Sequence, residues 1–270
     1  MTTTTAPIRV LLPLPALGYE ATEAGVPWKV MTDAGIEVVI ATPDGKPATA
    51  DITTATGEGL GWLGPFFRAA KVSRNAWEAF TASEAYRAPI AFDAIDIDAF
   101  DAVCIPGGHH HAMIPYLENE RLQARIADFY AAGKLVAAIC HGVLMAARCR
   151  RPDGRSILAG HTVTVVPGHV EPLIQRLCAK KMGDPRFGYL YDLTAEEEVR
   201  ELMAGEGELV VKRMPLLKDA PGKEHRGLVF VDGNVLTGRM PHDTWTFAKT
   251  LVEQLEARAS IAVEVEAAAA

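Results

Sequence analysis

A mostly parallel α/β sheet with helices on both faces is the architecture this sequence predicts, and three observations predict it. Short apolar runs alternate with amphipathic helical patterns, which implies parallel strands joined by helical crossovers. Residues 135–139, Leu-Val-Ala-Ala-Ile, form an apolar run that ends on Cys140 and passes at once into a small-residue helical pattern. A further apolar run at 101–106 closes on Gly107-Gly108.

In order along the chain, residues 8–14 read as a first strand. Residues 20–34 follow as a helix with Ala21, Ala24, Val30 and Met31 inward, interrupted by Pro27 and ended by Gly35; residues 37–42 form a second strand. Residues 101–106 are a third strand, 120–132 an amphipathic helix closed by Gly133, and 135–139 the buried strand before Cys140, with 143–147 the first turns of the next helix. Residues 162–166, 228–231 and 235–237 add strands, and 244–257 a closing helix. The terminal segments, Met1 to Thr5 and Glu264 to Ala270, read as frayed tails. Two stretches stand outside the alternation. Residues 51–98 carry Gly57, Gly59, Gly61 and Gly64, then helical patterns at 62–71 and 74–83. Residues 183–226 carry Phe187, Tyr189 and Tyr191, a charged helix at 194–203, and a loop at 214–224. Both read as insertions that fold over the strand ends as lids, within a single domain spanning residues 1–270.

Composition narrows the function classes. The formal charge is −7, with no Lys/Arg cluster of the kind that marks a nucleic-acid or anionic-membrane surface; Arg148, Arg150 and Arg151 follow a helix, where cations offset the carbonyl end of its dipole. No apolar stretch approaches the ~20 residues that span a bilayer, and the N-terminus lacks a positive region followed by an apolar one, so no signal peptide is expected. The four cysteines, Cys104, Cys140, Cys149 and Cys178, show no Cys-x-x-Cys spacing, which argues against a disulfide framework or zinc site and for a reducing cytoplasm.

The strand–Cys–helix junction, Ala138-x-Cys140-x-Gly142, has the form of a nucleophile elbow with sulfur in place of a serine oxygen. Small flanking residues fit a strand that turns straight into a helix, and a helix N-terminus favours thiolate over thiol. On its own, Cys140 reads first as a buried structural cysteine; the residues around it favour the nucleophile. His141 is adjacent, although neighbours at an elbow can point apart. Gly107-Gly108 ends a neighbouring strand and is either an oxyanion wall of bare N–H groups or a tight turn. Glu20 and Glu23 lie one helical turn apart and read either as site acids or as first-turn carboxylates that stabilise the dipole. His169-x-Glu171 is either part of a Cys-His-acid relay or a solvated loop. For His109-His110-His111, a pocket wall that hydrogen-bonds a carbonyl or carboxylate is favoured over a metal site, because no carboxylate or cysteine cluster completes one; a solvated loop is the third reading.

The segments Gly18 to Val30 (Gly-Tyr-Glu-Ala-Thr-Glu-Ala-Gly-Val-Pro-Trp-Lys-Val), Ile105-Pro-Gly-Gly-His109, Ala138-Ile-Cys-His-Gly142 and Thr237-Gly-Arg-Met-Pro-His-Asp243 together resemble the ThiJ/PfpI superfamily, with its flavodoxin-like, class I glutamine amidotransferase-like fold. Gly61-Trp-Leu-Gly-Pro-Phe-Phe-Arg68 and the Cys-His dipeptide are similar to its branch of heat-shock chaperones with glutathione-independent glyoxalase (glyoxalase III) activity. The resemblance implies Cys140 as nucleophile, His141 as general base, Glu23 as the acid hydrogen-bonded to the sulfur, Gly108 and the His141 amide as oxyanion donors, and Glu171 as the residue that orients His141. It also implies a homodimer. His110 stands where the branch has glycine, a change expected to narrow or repolarise the pocket floor, with His109 beside it.

The expected activity is conversion of a small 2-oxoaldehyde, such as methylglyoxal, to a 2-hydroxy acid without cofactor or metal, on a small-molecule carbonyl substrate and with no nucleic-acid or membrane partner. The lack of Gly-x-Gly-x-x-Gly after the first strand agrees with chemistry that needs no nicotinamide. A hydratase or an amide or ester hydrolase on the same Cys-His site is the second enzymatic reading. True glutamine amidotransfer is disfavoured because His169-x-Glu171 follows the cysteine too soon. A cysteine α/β-hydrolase would need Asp192 with His225 or His242. A chaperone or redox sensor, with Cys140 oxidised beside Glu23, is the non-catalytic reading.

Overall fold

A computed structural model describes residues 7–269. Seven strands build the main sheet: β1 (Arg9–Pro13), β2 (Glu37–Thr42), β3 (Ile90–Ala91), β4 (Ala102–Ile105), β5 (Leu135–Ile139), β6 (Val229–Asp232) and β7 (Val235–Gly238). Their spatial order is β6-β7-β5-β4-β1-β2-β3. All neighbours are parallel except β6 and β7, a hairpin at one edge that turns through Gly233 (φ +59°) and Asn234. The longer helices are α1 (Ala21–Asp33), α2 (Lys71–Ala82), α3 (Glu120–Ala131), α4 (His141–Arg148), α5 (Val170–Met182), α6 (Ala195–Leu202) and α7 (Thr244–Ala269).

The strands are apolar runs because both faces of the sheet are covered. Val10, Leu11 and Leu12 of β1 and every residue of β5 are buried. α1 packs against α2 and α7, whereas α4 packs against α3 and α6. The chain steps from β1 outward to β2 and then back across to β4 and β5. A right-handed crossover in each direction places α1 and α3 on opposite faces, and opens a crevice at the carboxyl ends of β1 and β4 where the direction reverses. Helix α1 continues through Pro27, with Ala21, Ala24 and Met31 buried and Val30 half-buried.

Several expected elements are corrected. Of 162–166, only Thr162–Val163 is a strand, and it pairs with Glu208–Leu209 in a separate two-stranded sheet. The helical patterns at 62–71 and 74–83 become a short helix, Gly64–Phe67, a break at Arg68, and α2. Helix α5 was absent from the sequence reading. The closing helix does not end at residue 257 but runs to Ala269, through the stretch from Glu264 expected to fray; the tail expected at Met1 to Thr5 lies outside the described residues.

Candidate active site

Cys140 sits where β5 meets α4, with φ +57° and ψ −129°. That conformation is rare for a residue bearing Cβ, and a strained backbone of this kind marks functional sites. It is fixed on both sides: the Cys140 N–H donates to the Gly238 carbonyl at 3.1 Å, and its own carbonyl accepts from Val143 at 3.0 Å. The turn is tight enough that a Cβ on Gly142 would lie 2.2 Å from the Ile105 carbonyl oxygen. The small residues around the elbow are therefore a packing requirement.

The positive φ turns His141 back toward its neighbour. Its Nδ1 lies 3.6 Å from Cys140 Sγ, and its Nε2 lies 3.2 Å from Glu171 Oε1. All three side chains are buried. An ionised carboxylate only accepts, so Nε2 carries the ring proton and Nδ1 presents a lone pair to the thiol. Glu171, in the first turn of α5, is held in turn by the Ala195 N–H, which donates to Oε2 at 3.0 Å.

On the other side of the sulfur lies Glu23, in the first turn of α1. Its Oε2 accepts the Gly107 N–H at 2.8 Å, and its buried Oε1 has no hydrogen-bond partner among the described residues. Burial, then the neighbouring Glu20 carboxylate, pushes Glu23 well above the usual carboxylate range. Burial, then Glu23, likewise holds the Cys140 thiol well above its ordinary value. Burial of the thiol thus opposes the helix terminus, which by itself favours thiolate. A helix terminus contributes at most ~2 kcal/mol, whereas full burial shifts a titration by up to ~3–5 units.

Glu20 resolves as the cap of α1. Its Oε2 accepts from the Thr22 and Glu23 amides, both at 2.7 Å, and from the Thr22 hydroxyl at 2.6 Å. The oxyanion wall needs correction too, because the Gly107 N–H is spent on Glu23. Among the described residues the Gly108 N–H has no acceptor, and Gly108 lines the cavity above the sulfur.

The histidine trio splits three ways. His109 lines the cavity, stacks edge-on against Phe187 at 5.3 Å, and burial lowers its basicity so that the neutral ring predominates. His110 is not a pocket residue. Its Nδ1 accepts from the Ala112 amide at 3.1 Å, capping the turn His111–Met113, and so it neither narrows nor repolarises the floor. His111 Nε2 meets Asp184 Oδ2 at 2.9 Å, tying this loop to the 183–226 insertion. Among the described residues no three His, Cys, Asp or Glu side chains gather as metal ligands. His169 is exposed and outside the relay. Asp192 pairs with Arg186 at the surface, so the α/β-hydrolase arrangement does not form.

The cavity above Cys140 has a volume of about 310 Å³. Both insertions wall it, through Leu60 and Phe67 from one and Phe187, Met214 and Leu216 from the other. The sequence reading missed its far polar wall. Asp219 is buried and its Oδ2 accepts from the Thr246 amide and hydroxyl, at 2.7 and 2.9 Å; burial raises it to about 6. His242 is lowered to about 4 by burial and by the positive charges of Lys218 and Arg239. The His242 within the Thr237–Asp243 motif was the available signal; nothing local marks Asp219.

The sheet thus carries a buried cysteine–histidine–glutamate relay at an elbow, with a second buried acid, Glu23, on the neighbouring helix. The ThiJ/PfpI-like family model matches residues 14–182, and the chain belongs to that family. Glyoxalase III from Candida albicans is a structural relative with a TM-score of 0.66, 19% identity, and coverage of 91% of this chain and 96% of that one. A deglycase from Thermococcus kodakarensis is 42% identical over 53 residues, 20% of this chain and 31% of the relative. An uncharacterised protein of Schizosaccharomyces pombe is 25% identical over 124 residues, 45% of each chain. The chain thus aligns with less than half the length of either curated relative. No helix among the described residues is long and apolar enough to cross a membrane.

Proposed function

We propose that this protein converts a 2-oxoaldehyde to the corresponding 2-hydroxy acid by covalent catalysis at Cys140. The observation that carries this reading is the alignment of His141, with Nδ1 toward the sulfur at 3.6 Å and Nε2 on Glu171 at 3.2 Å. His141 takes the thiol proton as sulfur adds to the aldehyde carbon, and returns it to the carbonyl oxygen, giving a hemithioacetal. It then removes the proton from that carbon to form an enediol and delivers it to the adjacent carbon, which leaves a thioester. Water cleaves the thioester, releasing the 2-hydroxy acid and restoring the thiol. Oxidation of one carbon and reduction of its neighbour balance within the substrate, so the chemistry calls for no nicotinamide. Glu23, kept protonated by burial, donates to the sulfur when it is a thiolate. The Gly108 N–H is the available donor for the substrate oxygen. The deglycase and glyoxalase III relatives support the reaction class.

Proton NMR of methylglyoxal incubated with the protein tests this. We expect 2-hydroxy acid to accumulate with wild type, and Cys140→Ser to slow it by at least about 1,000-fold. Wild-type rates in that variant would refute the proposal. If methylglyoxal is inert but an isocyanide, amide or ester is consumed in a Cys140-dependent way, the site is a hydratase or hydrolase instead.

A further inference from the structure

Beside the mouth of the catalytic cavity lies a second hollow, of about 280 Å³, bounded by Pro65, Ala69, Ala70 and four cationic side chains, Arg68, Lys71, Arg74 and Lys218. No carboxylate lines it. Arg74 reaches Glu78 only at 3.8 Å. Lys218 donates to the Arg68 carbonyl at 2.8 Å; burial lowers it from the usual lysine range, and Glu20 on the catalytic side partly offsets that. Arg68 and Lys71 form no ion pair among the described residues. The cost of gathering these charges is compounded by position: Lys71 and Arg74 stand in the first turns of α2, where the dipole disfavours cations, and that first turn holds no acid. The cluster stands out in a chain whose net charge is −7. Ala69, Ala70 and Lys218 line both hollows, so a group held here lies next to whatever occupies the cavity above Cys140.

We infer that the hollow formed by Arg68, Lys71, Arg74 and Lys218 is a binding site for a phosphate-class oxyanion. Two arginines supply planar forks that match phosphate oxygens in pairs, and two lysines add compact charges. The oxyanion is either the distal group of an elongated substrate whose carbonyl reaches Cys140, an arm that rests on the function proposed above, or a free phosphate ion.

Titration of inorganic phosphate into the whole protein tests the site without recourse to activity. We expect saturable binding by calorimetry and a phosphate-dependent rise in melting temperature, both absent with chloride at matched ionic strength. The double variant Arg68→Gln/Lys71→Gln should bind phosphate at least about tenfold more weakly and melt as wild type does without phosphate. Equal phosphate affinity in variant and wild type, or a melting rise that chloride reproduces, overturns the inference. Comparison of methylglyoxal with a 2-oxoaldehyde bearing a terminal phosphate separates the two sources. A preference for the phosphorylated compound that the double variant loses assigns the oxyanion to the substrate. Phosphate binding without such a preference assigns it to the free ion. If no 2-oxoaldehyde reacts, the function proposed above fails while the titration still decides this site.

Discussion

A Cβ placed on Gly107 would lie 2.6 Å from the His141 amide nitrogen and 3.0 Å from Glu23 Oε2. One glycine thus lets the end of β4 press against both the elbow and the acid, and its N–H is the donor that fixes Glu23. Gly107→Ala is expected to cost about 1–3 kcal/mol as overpacking, read as a lower urea midpoint, and to slow turnover further than stability alone explains. At this scale the sequence disclosed residue types well. Cys140, His141, Glu23 and Glu171 all lie in one buried cluster. What it could not disclose is which donors are already taken. The order Gly107-Gly108 looks symmetric on paper, yet one N–H serves a carboxylate and the other opens on the cavity. The thiol's ionisation was hidden for the same reason: burial outweighs the helix terminus, and burial is not a local property.

The elements around Glu171 show how an acid thirty residues from its histidine is brought to it. Thr194 and Glu197 form a capping box that starts α6, with the Thr194 N–H donating to Glu197 Oε2 at 2.8 Å. Arg148 at the end of α4 grips Glu198 of α6 at 2.7 and 3.0 Å. α6 is thereby held so that the Ala195 amide meets Glu171. Thr194→Ala should cost about 1 kcal/mol of stability; its melting midpoint checks this. Glu171→Gln should lower kcat by roughly 10- to 100-fold by loosening His141, with KM little changed; a pH–rate profile identical to wild type would argue for a purely structural Glu171. Helix α5 itself was legible in principle. Val170, Leu173, Ile174, Leu177 and Cys178 recur at helical spacing, and Gly183 follows in the left-handed conformation of a helix stop. Pro172 obscured the pattern, although a proline in the first turn lacks only an N–H that no helical partner would have used. The two-residue strand at Thr162–Val163 was misread for the opposite reason, since a β-rich run says nothing about which sheet it joins.

Across the whole molecule, a mostly parallel sheet covered on both faces, with its site at the carboxyl ends of the strands, followed from the alternation of strands and helices; the strand order did not. The lining of the cavity did not follow, because it draws on loops far apart in the chain. Asp219 and His242 meet there with opposite consequences for stability. The folded Asp219 titrates near 6, above its unfolded value of about 3.8, so its contribution is present at low pH and is lost as pH rises from about 4 to about 6. The folded His242 titrates near 4, below its unfolded value, so its contribution grows as pH rises through about 4 to 6.5. The two oppose one another across the same window. The stability difference between wild type and Asp219→Asn should therefore move in the variant's favour by up to about 3 kcal/mol between pH 4 and pH 6, followed by denaturant titrations; a pH-independent difference would rule this out. Glu171 divides its oxygens between the His141 ring and the Ala195 amide. A single carboxylate thus couples the alignment of the base to the seating of the α6 N-terminus, and the rate at which the Ala195 amide exchanges with deuterium becomes a gauge of that alignment, legible with no substrate present.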